Sequence, residues 1–159
     1  MDYTCSYESP LGPITLASDG EALIGLWFGG QKHFAYNLSP AFEEKALPVL
    51  DETRRWLDLY FAGQIPDFTP KLAPRGTAFQ QRVWEKLRTI PYGKTSTYGE
   101  LARAMDCASA RAVGSAVGRN PISLLIPCHR VLGADGRLTG YAGGLDRKQW
   151  LLALEGVKP

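Results

Sequence analysis

Cys128 is followed by His129 and Arg130 and preceded by Leu124, Leu125, Ile126 and Pro127, so an apolar segment carries a thiol into the interior beside two groups that can ionise it. A free thiol has a pKa of roughly 8.5, and a neighbouring imidazole or guanidinium lowers it, which makes the nucleophilic thiolate available at neutral pH. The pattern predicts a reactive cysteine with a depressed pKa. An inert core cysteine in an apolar strand is the competing reading, since free cysteine is among the most buried residue types.

The elements around this segment must position it. Residues 98–105 read as a short helix, 106–109 as a tight turn containing Cys107, and 110–119 as a second helix. Asn120-Pro121 must stop that helix, because the residue before proline disfavours helical geometry. Two short helices joined this way form a helix-turn-helix candidate. In the second helix Val113 and Val117 can pack inward, whereas Ala112, Ser115, Ala116 and Arg119 fall on another face at spacings of three and four. That smooth face can approach a nucleic-acid groove closely. It offers few of the Arg, Asn or Gln side chains that read bases, so weak sequence preference is expected.

Downstream, residues 131–139 read as a hairpin with Asp135-Gly136 near its turn, a wing beside the helix pair. Tyr141-Ala142-Gly143-Gly144 leads into a last helix containing Trp150, Leu151 and Leu154, and glycines there let backbone come near a flat ligand. Glu155 ends that helix, an unfavourable place for a carboxylate in the helix dipole unless a partner such as His129 meets it. Upstream, Thr77 caps a helix reaching about residue 88, with Phe79, Val83, Trp84 and Leu87 inward and Pro91-Tyr92-Gly93 after it.

The first half lacks residues at chemical spacing. Strand-like pieces at 3–7, 14–17 and 23–28, the last two separated by a Ser-Asp-Gly-Glu turn, predict a small antiparallel sheet. A helix from Pro48 to a stop at Gly63 covers it, with Leu50, Arg54, Leu57 and Phe61 along one stripe and Val49, Thr53, Trp56 and Tyr60 beside it. The expected role is scaffolding. A proline-rich segment at 65–75 divides the chain into 1–75 and 76–159. Residues 1–75 hold 6 Lys/Arg and 10 Asp/Glu, a balance of −4, while residues 76–159 hold 12 and 6, a balance of +6. A basic half carrying the unusual motif fits a polyanion-binding domain.

At 159 residues, with 45% hydrophobic and 21% charged residues, the composition is that of an ordinary globular protein. Cysteines at 5, 107 and 128 make neither a disulfide framework nor a CxxC pair, and a zinc site built on Cys5 and His33 lacks ligands. With no signal sequence and no apolar run of spanning length, the expectation is an intracellular protein without membrane association.

The Pro127-Cys128-His129-Arg130 segment, an Asn-Pro step seven residues before its Pro-Cys, and Tyr141-Ala142-Gly143-Gly144 closely resemble the active-site region of the O6-alkylguanine-DNA alkyltransferases. Tyr98, Arg111-Ala112-Val113-Gly114 and the Trp150-Leu151-Leu152…Glu155-Gly156 ending resemble it too, so the likeness runs from Phe79 to Glu155. It implies an α+β fold: a ribonuclease H-like sheet with a helix, then a mainly helical, winged helix-turn-helix domain. It implies transfer of an alkyl group from guanine O6 in double-stranded DNA to Cys128, with O4-alkylthymine a further candidate lesion. No cofactor or metal is implied, and a monomer is expected away from DNA.

By that resemblance, His129 is the base for Cys128, reached through a water because successive side chains in extended backbone point opposite ways. Glu155 orients the imidazole. Tyr98 assists nucleotide extrusion and protonates the leaving guanine; Arg111 fills the vacated stack, and Ala112 and Ser115 face DNA. Asn120 is the hinge between recognition helix and cysteine loop. Tyr141, with the backbone around Val131 and Ala142, forms the guanine pocket. Two departures stand out: the span from Tyr98 to Arg111 is one residue shorter than in many relatives, and Ala142 replaces a serine found in some. The alternative is a non-catalytic alkyltransferase-like lesion binder, but such relatives replace the cysteine. A Cys-His hydrolase or redox sensor would need a separately placed histidine or a resolving thiol, and a plain transcriptional helix-turn-helix leaves the Pro-Cys-His unexplained.

Overall fold

The computed structural model describes residues 1–157; Lys158 and Pro159, the end of the basic half, lie outside the described residues. Strands β1 (Asp2–Ser9) and β2 (Gly12–Ser18) form a hairpin whose turn needs Gly12 at φ +100°, a conformation glycine adopts without steric cost. Strand β3 (Leu23–Phe28) pairs antiparallel with β2 and is buried at every position, so it has neighbours on both faces. Strand β4 (Phe42–Glu44) pairs with β1 in parallel, giving a mixed sheet of order β3-β2-β1-β4. The purely antiparallel sheet expected from sequence is corrected by this strand. Its three residues are all exposed, too short and too polar for a period-two signal to register.

Helix α1 (Pro48–Phe61) starts with proline in its first turn and buries Val49, Leu50, Thr53, Trp56, Leu57 and Tyr60. The open edge of β3 is closed by two later segments. Leu23 N–H donates to the Lys71 carbonyl and Ala73 N–H to the Leu23 carbonyl, each at 2.8 Å. Leu26 N–H donates to the Pro121 carbonyl at 2.8 Å and the Leu26 carbonyl accepts from Ser123 N–H at 3.2 Å, so the approach to Cys128 is laid against the first sheet. One apolar cluster consequently runs from Ile14, Leu26 and Phe28 through Trp84, Val113 and Ile126 to Leu151.

Helix α2 (Ala78–Leu87) carries the expected Thr77 cap, completed as a reciprocal pair with Gln80, and buries Val83, Trp84 and Leu87. After the two-residue strand β5 (Ser96–Thr97) come α3 (Tyr98–Ala104), capped by Thr97, and α4 (Ala110–Gly118), capped by Ser109. The turn between them holds Asp106 at φ +55°, a left-handed conformation aspartate tolerates better than most residues. Ala116 departs from the expected smooth face: it is buried, and its carbonyl accepts from Trp84 Nε1 at 2.8 Å, so that face reduces to Ala112, Ser115 and Arg119.

The wing does not form as a hairpin. Strand β6 (Val131–Leu132) pairs in parallel with β5 instead of folding back on its own continuation. Residues Ala134–Gly136 make a 3-10 turn with Asp135 at φ +63°, closed by Gly133 N–H donating to the Arg137 carbonyl at 2.8 Å. Downstream, the Thr139 and Gly140 carbonyls accept from Lys148 of helix α5 (Leu145–Leu154), and no second strand forms among the described residues there.

Candidate active site

The cysteine loop is a folded turn. Leu124 sits at φ +75°, Ile126 N–H donates to the Ile122 carbonyl, and Cys128–Arg130 form a 3-10 turn, so the extended backbone assumed from sequence is corrected. Asn120 fixes the loop from inside: its Nδ2 donates to the Ile126 carbonyl at 2.8 Å while its Oδ1 accepts from Ile122 N–H at 3.0 Å. Every residue from 121 to 131 is buried, and Cys128 is only 4% exposed.

That burial reverses one expectation. It pushes the Cys128 thiol up, and the nearby Asn120 amide and Lys148 ammonium offset only part of the effect. The resting group is therefore a thiol, and its proton must leave as the sulfur reacts.

Beside it lies a buried charge cluster. His129 Nε2 stands 2.6 Å from Glu155 Oε2, so that nitrogen carries the hydrogen and the neutral imidazole keeps its lone pair on Nδ1. Arg130 grips the same carboxylate, Nε to Oε1 at 2.8 Å and NH2 to Oε2 at 3.1 Å, and its NH1 donates to the Ile90 carbonyl. Gly93 N–H adds a bond to Oε1 at 3.0 Å. Burial disfavours ionised Glu155, but the bonds from His129 and Arg130 outweigh it and hold the carboxyl well below the usual carboxylate range. For His129 burial prevails over the carboxylate and lowers the imidazole, keeping it neutral near pH 7. Glu155 thus has a strong partner at its helix end, which resolves the unfavourable dipole position.

Two cations of α5 organise the surrounding backbone. Lys148, fully buried, donates from Nζ to the carbonyls of Val131 at 2.5 Å, Thr139 at 2.7 Å and Gly140 at 3.0 Å. Desolvation pulls its ammonium down to about 8. Arg147 donates to the carbonyls of Leu11, Gly29 and Gly143 and lies over the Phe28 ring, tying the first sheet to the loop at 140–144.

Cys128 lines a cavity of about 520 Å³ together with Tyr98, Ser115, Arg119, Tyr141 and Ala142. Tyr98 and Tyr141 are both raised, first by burial and then by the nearness of Cys128, so each is a protonated hydroxyl at neutral pH. The Tyr141 hydroxyl is enclosed and has no hydrogen-bond partner among the described residues. Gly143 has a packing role: a Cβ there would lie 2.7 Å from the Tyr141 ring and 3.2 Å from Phe28. Val131 departs from its expected part in the pocket, because it is fully buried in β6, does not line the cavity, and its carbonyl is taken by Lys148. Arg111 and Ala112 also lie outside the cavity lining; Arg111 is exposed in the first turn of α4.

The sequence model described as "6-O-methylguanine DNA methyltransferase, DNA binding domain" matches residues 78–157, and "6-O-methylguanine DNA methyltransferase, ribonuclease-like domain" matches 3–74. The chain belongs to the 6-O-methylguanine DNA methyltransferase family. A methylated-DNA–protein-cysteine methyltransferase of Methanosarcina acetivorans is 50% identical over 97% of this chain and 98% of its own. One from Haemophilus influenzae is 46% identical over 98% and 87%. Among solved structures, Mycobacterium tuberculosis OGT in complex with DNA superposes with a TM-score of 0.87 at 44% identity, covering 96% of this chain and 92% of that one.

Within this DNA-repair methyltransferase, four site residues went unread in the sequence. Tyr60 of α1 was assigned to the core, yet its hydroxyl reaches Glu155 at 2.6 Å. Lys32 and His33, from the half read as scaffold, line the cavity. Lys148 left a legible trace: Lys148, Leu151, Leu152 and Glu155 fall at i, i+3, i+4 and i+7, which puts two charges on a buried stripe. No helix among the described residues is long and apolar enough to cross a membrane, and no three potential metal ligands gather.

Proposed function

We propose that the protein repairs O6-alkylated guanine in double-stranded DNA by moving the alkyl group irreversibly onto Cys128. The observation that carries this reading is a buried thiol on the wall of a cavity between α4 and the loop at 140–142, next to a histidine whose only free ring nitrogen is an acceptor. The sulfur attacks the alkyl carbon, so that the S–C bond forms as the C–O6 bond breaks. The thiol proton passes to His129 Nδ1 through a water; a buried Nδ1 without a protein partner calls for one. Tyr98, a protonated hydroxyl, gives its proton to the departing guanine.

Glu155 orients the imidazole, and Arg130 keeps that carboxylate anionic. Extruding a base costs a few kcal/mol, which Arg111 offsets by entering the stack while Ala112 and Ser115 let α4 approach the groove. Tyr141 and Ala142 receive the guanine ring, and Asn120 transmits the position of α4 to the cysteine loop. Residues 76–159 then carry DNA contact and chemistry, and residues 1–75 the support. A thioether has no easy exit by exchange or hydrolysis, so each molecule acts once, without a cofactor and as a monomer. The same attack applies to O4-alkylthymine as a second substrate.

Intact-mass measurement after incubation with an O6-methylguanine oligonucleotide tests this. One methyl group per molecule at Cys128 is expected, with none in Cys128→Ser. Modification at Cys5 or Cys107, or repeated turnover by one molecule, would defeat the mechanism.

A further inference from the structure

Tyr60 lies on the last turn of α1, in the half of the chain that carries no chemical motif, yet its hydroxyl ends inside the charge cluster. It donates to Glu155 Oε2 at 2.6 Å, the same oxygen that receives His129 Nε2–H at 2.6 Å, and stands 3.4 Å from that nitrogen. The residue is fully buried and its ring stacks on Trp56 at 5.3 Å between centroids, so the hydroxyl is aimed by packing. A tyrosine needed only for volume would be replaced by phenylalanine at no polar cost; burying a hydroxyl against a carboxylate is justified by what it does to that carboxylate.

We propose that Tyr60 is a positioning residue of alkyl transfer: by sharing Glu155 Oε2 with His129 it drains charge from that oxygen and keeps the imidazole neutral and ready to accept the Cys128 proton. The assignment rests on reading His129 as the base for Cys128. Without the Tyr60 donor, Oε2 holds its full charge against Nε2–H, the imidazolium is better stabilised, and His129 becomes protonated at higher pH. The other groups facing the pair are accounted for. Arg130 bonds both carboxylate oxygens, Gly93 N–H bonds Oε1, Tyr92 lies with its ring 6.2 Å from that of Tyr60, Tyr141 faces Tyr60 and Glu155, and Lys148 opposes a positive His129 from α5. Among the described residues Tyr60 and Arg130 share the oxygen that His129 uses, and of the two Tyr60 alone can be cut back to a hydrocarbon without moving a charge. Burial already lowers the imidazole, and Tyr60 acts in the same sense.

The test is an NMR titration of the imidazoles in full-length protein carrying Cys128→Ser, joined to the pH profile of single-turnover transfer with Cys128 intact. The chain has 2 histidines, so His33→Gln assigns the signals. Tyr60→Phe keeps the stacked ring and should raise the His129 pKa by about 0.5 to 1 pH unit, moving the acid limb of the transfer rate up by the same amount. On that limb the rate falls roughly three- to tenfold, while the plateau at higher pH stays within about threefold. Site-specific 3-fluorotyrosine in place of Tyr60, a stronger donor, should shift both in the opposite direction. An unchanged His129 titration and acid limb in both variants, whatever happens to the melting temperature, would reduce Tyr60 to a packing residue. A wild-type acid limb that persists in His129→Gln would instead overturn His129 as the base, leaving Tyr60 nothing to position.

Discussion

Arg111 separates nucleotide extrusion from simple docking on DNA. It stands exposed in the first turn of α4, outside the cavity that holds Cys128, so its effect on transfer must come through the duplex. Arg111→Ala should slow transfer from duplex DNA by on the order of tenfold or more, as expected when a few kcal/mol of extrusion is left uncompensated, and leave reaction with free alkylguanine base nearly unchanged. Lysine keeps the charge but lacks the planar, stacking guanidinium, so Arg111→Lys should rescue a phosphate contact and fail to rescue stack filling. Single-turnover rates on a matched duplex, a mispaired duplex and the free base decide the matter; equal loss on all three would assign Arg111 to the fold. At this scale the candidate cysteine was legible, because Pro-Cys-His-Arg follows an apolar run. Its protonation state was not, since burial depends on what folds over residues 121–131.

Asn120 joins two elements. Following α4, it satisfies one donor and one acceptor of the cysteine loop with its own amide, at 2.8 and 3.0 Å, in a site only 4% exposed. Asn120→Ala strands both backbone groups and should cost about 2 to 4 kcal/mol, the desolvation of two buried polar groups. Transfer should slow along with it, because the loop that aims Cys128 loses its tie to α4. Urea denaturation gives the first quantity and single-turnover kinetics the second; unchanged stability would mean that water replaces the amide. Helices α1, α2 and α4 were readable because apolar spacing, and for α2 the Thr77 cap, are local signals. Strand β4 and the pairing of β6 were not: a three-residue strand has no measurable period, and β6 takes its partner from β5, about 35 residues earlier along the chain.

The whole molecule holds several ionisable groups away from their free pKa values, and those that titrate below neutral pH agree in sign. Glu155 is held below the carboxylate range after its His129 and Arg130 bonds overcome burial, Asp2 is lowered by its Arg75 bond against opposing burial, and His129 is lowered by burial. For each, the unfolded chain binds protons more readily. The histidine contribution is therefore present above about pH 6.5 and fades as pH falls; the carboxylate contributions are present above about pH 4 and fade below it. Each group changes stability by up to about 1.4 kcal/mol per pH unit between its unfolded and folded values. Denaturant midpoints should decline from pH 7.5 to 5.5 and again more steeply below 4.5, with the lower step reduced in Glu155→Gln. A flat profile across both ranges would contradict the buried cluster.

By itself the sequence marked out the candidate chemistry and the local elements, because a Cys-His-Arg run, helix caps and apolar periods are written in adjacent residues. The tertiary structure decided which distant groups surround that chemistry. Tyr60 looked like one more aromatic on the α1 stripe, and only the packing of α1 against the end of α5 turns its hydroxyl toward Glu155, 95 positions away. Arg147 meets Leu11 across 136 positions, and Lys148 gathers three carbonyls from loops whose course no local pattern specifies. The acidic half therefore does more than support the basic one. Its sheet edge carries the approach to Cys128 at Leu26, and its last helical turn supplies a hydrogen bond to the buried Glu155 charge cluster. A long-range contact of this kind has no sequence period, because it is fixed by how the faces of separate elements meet.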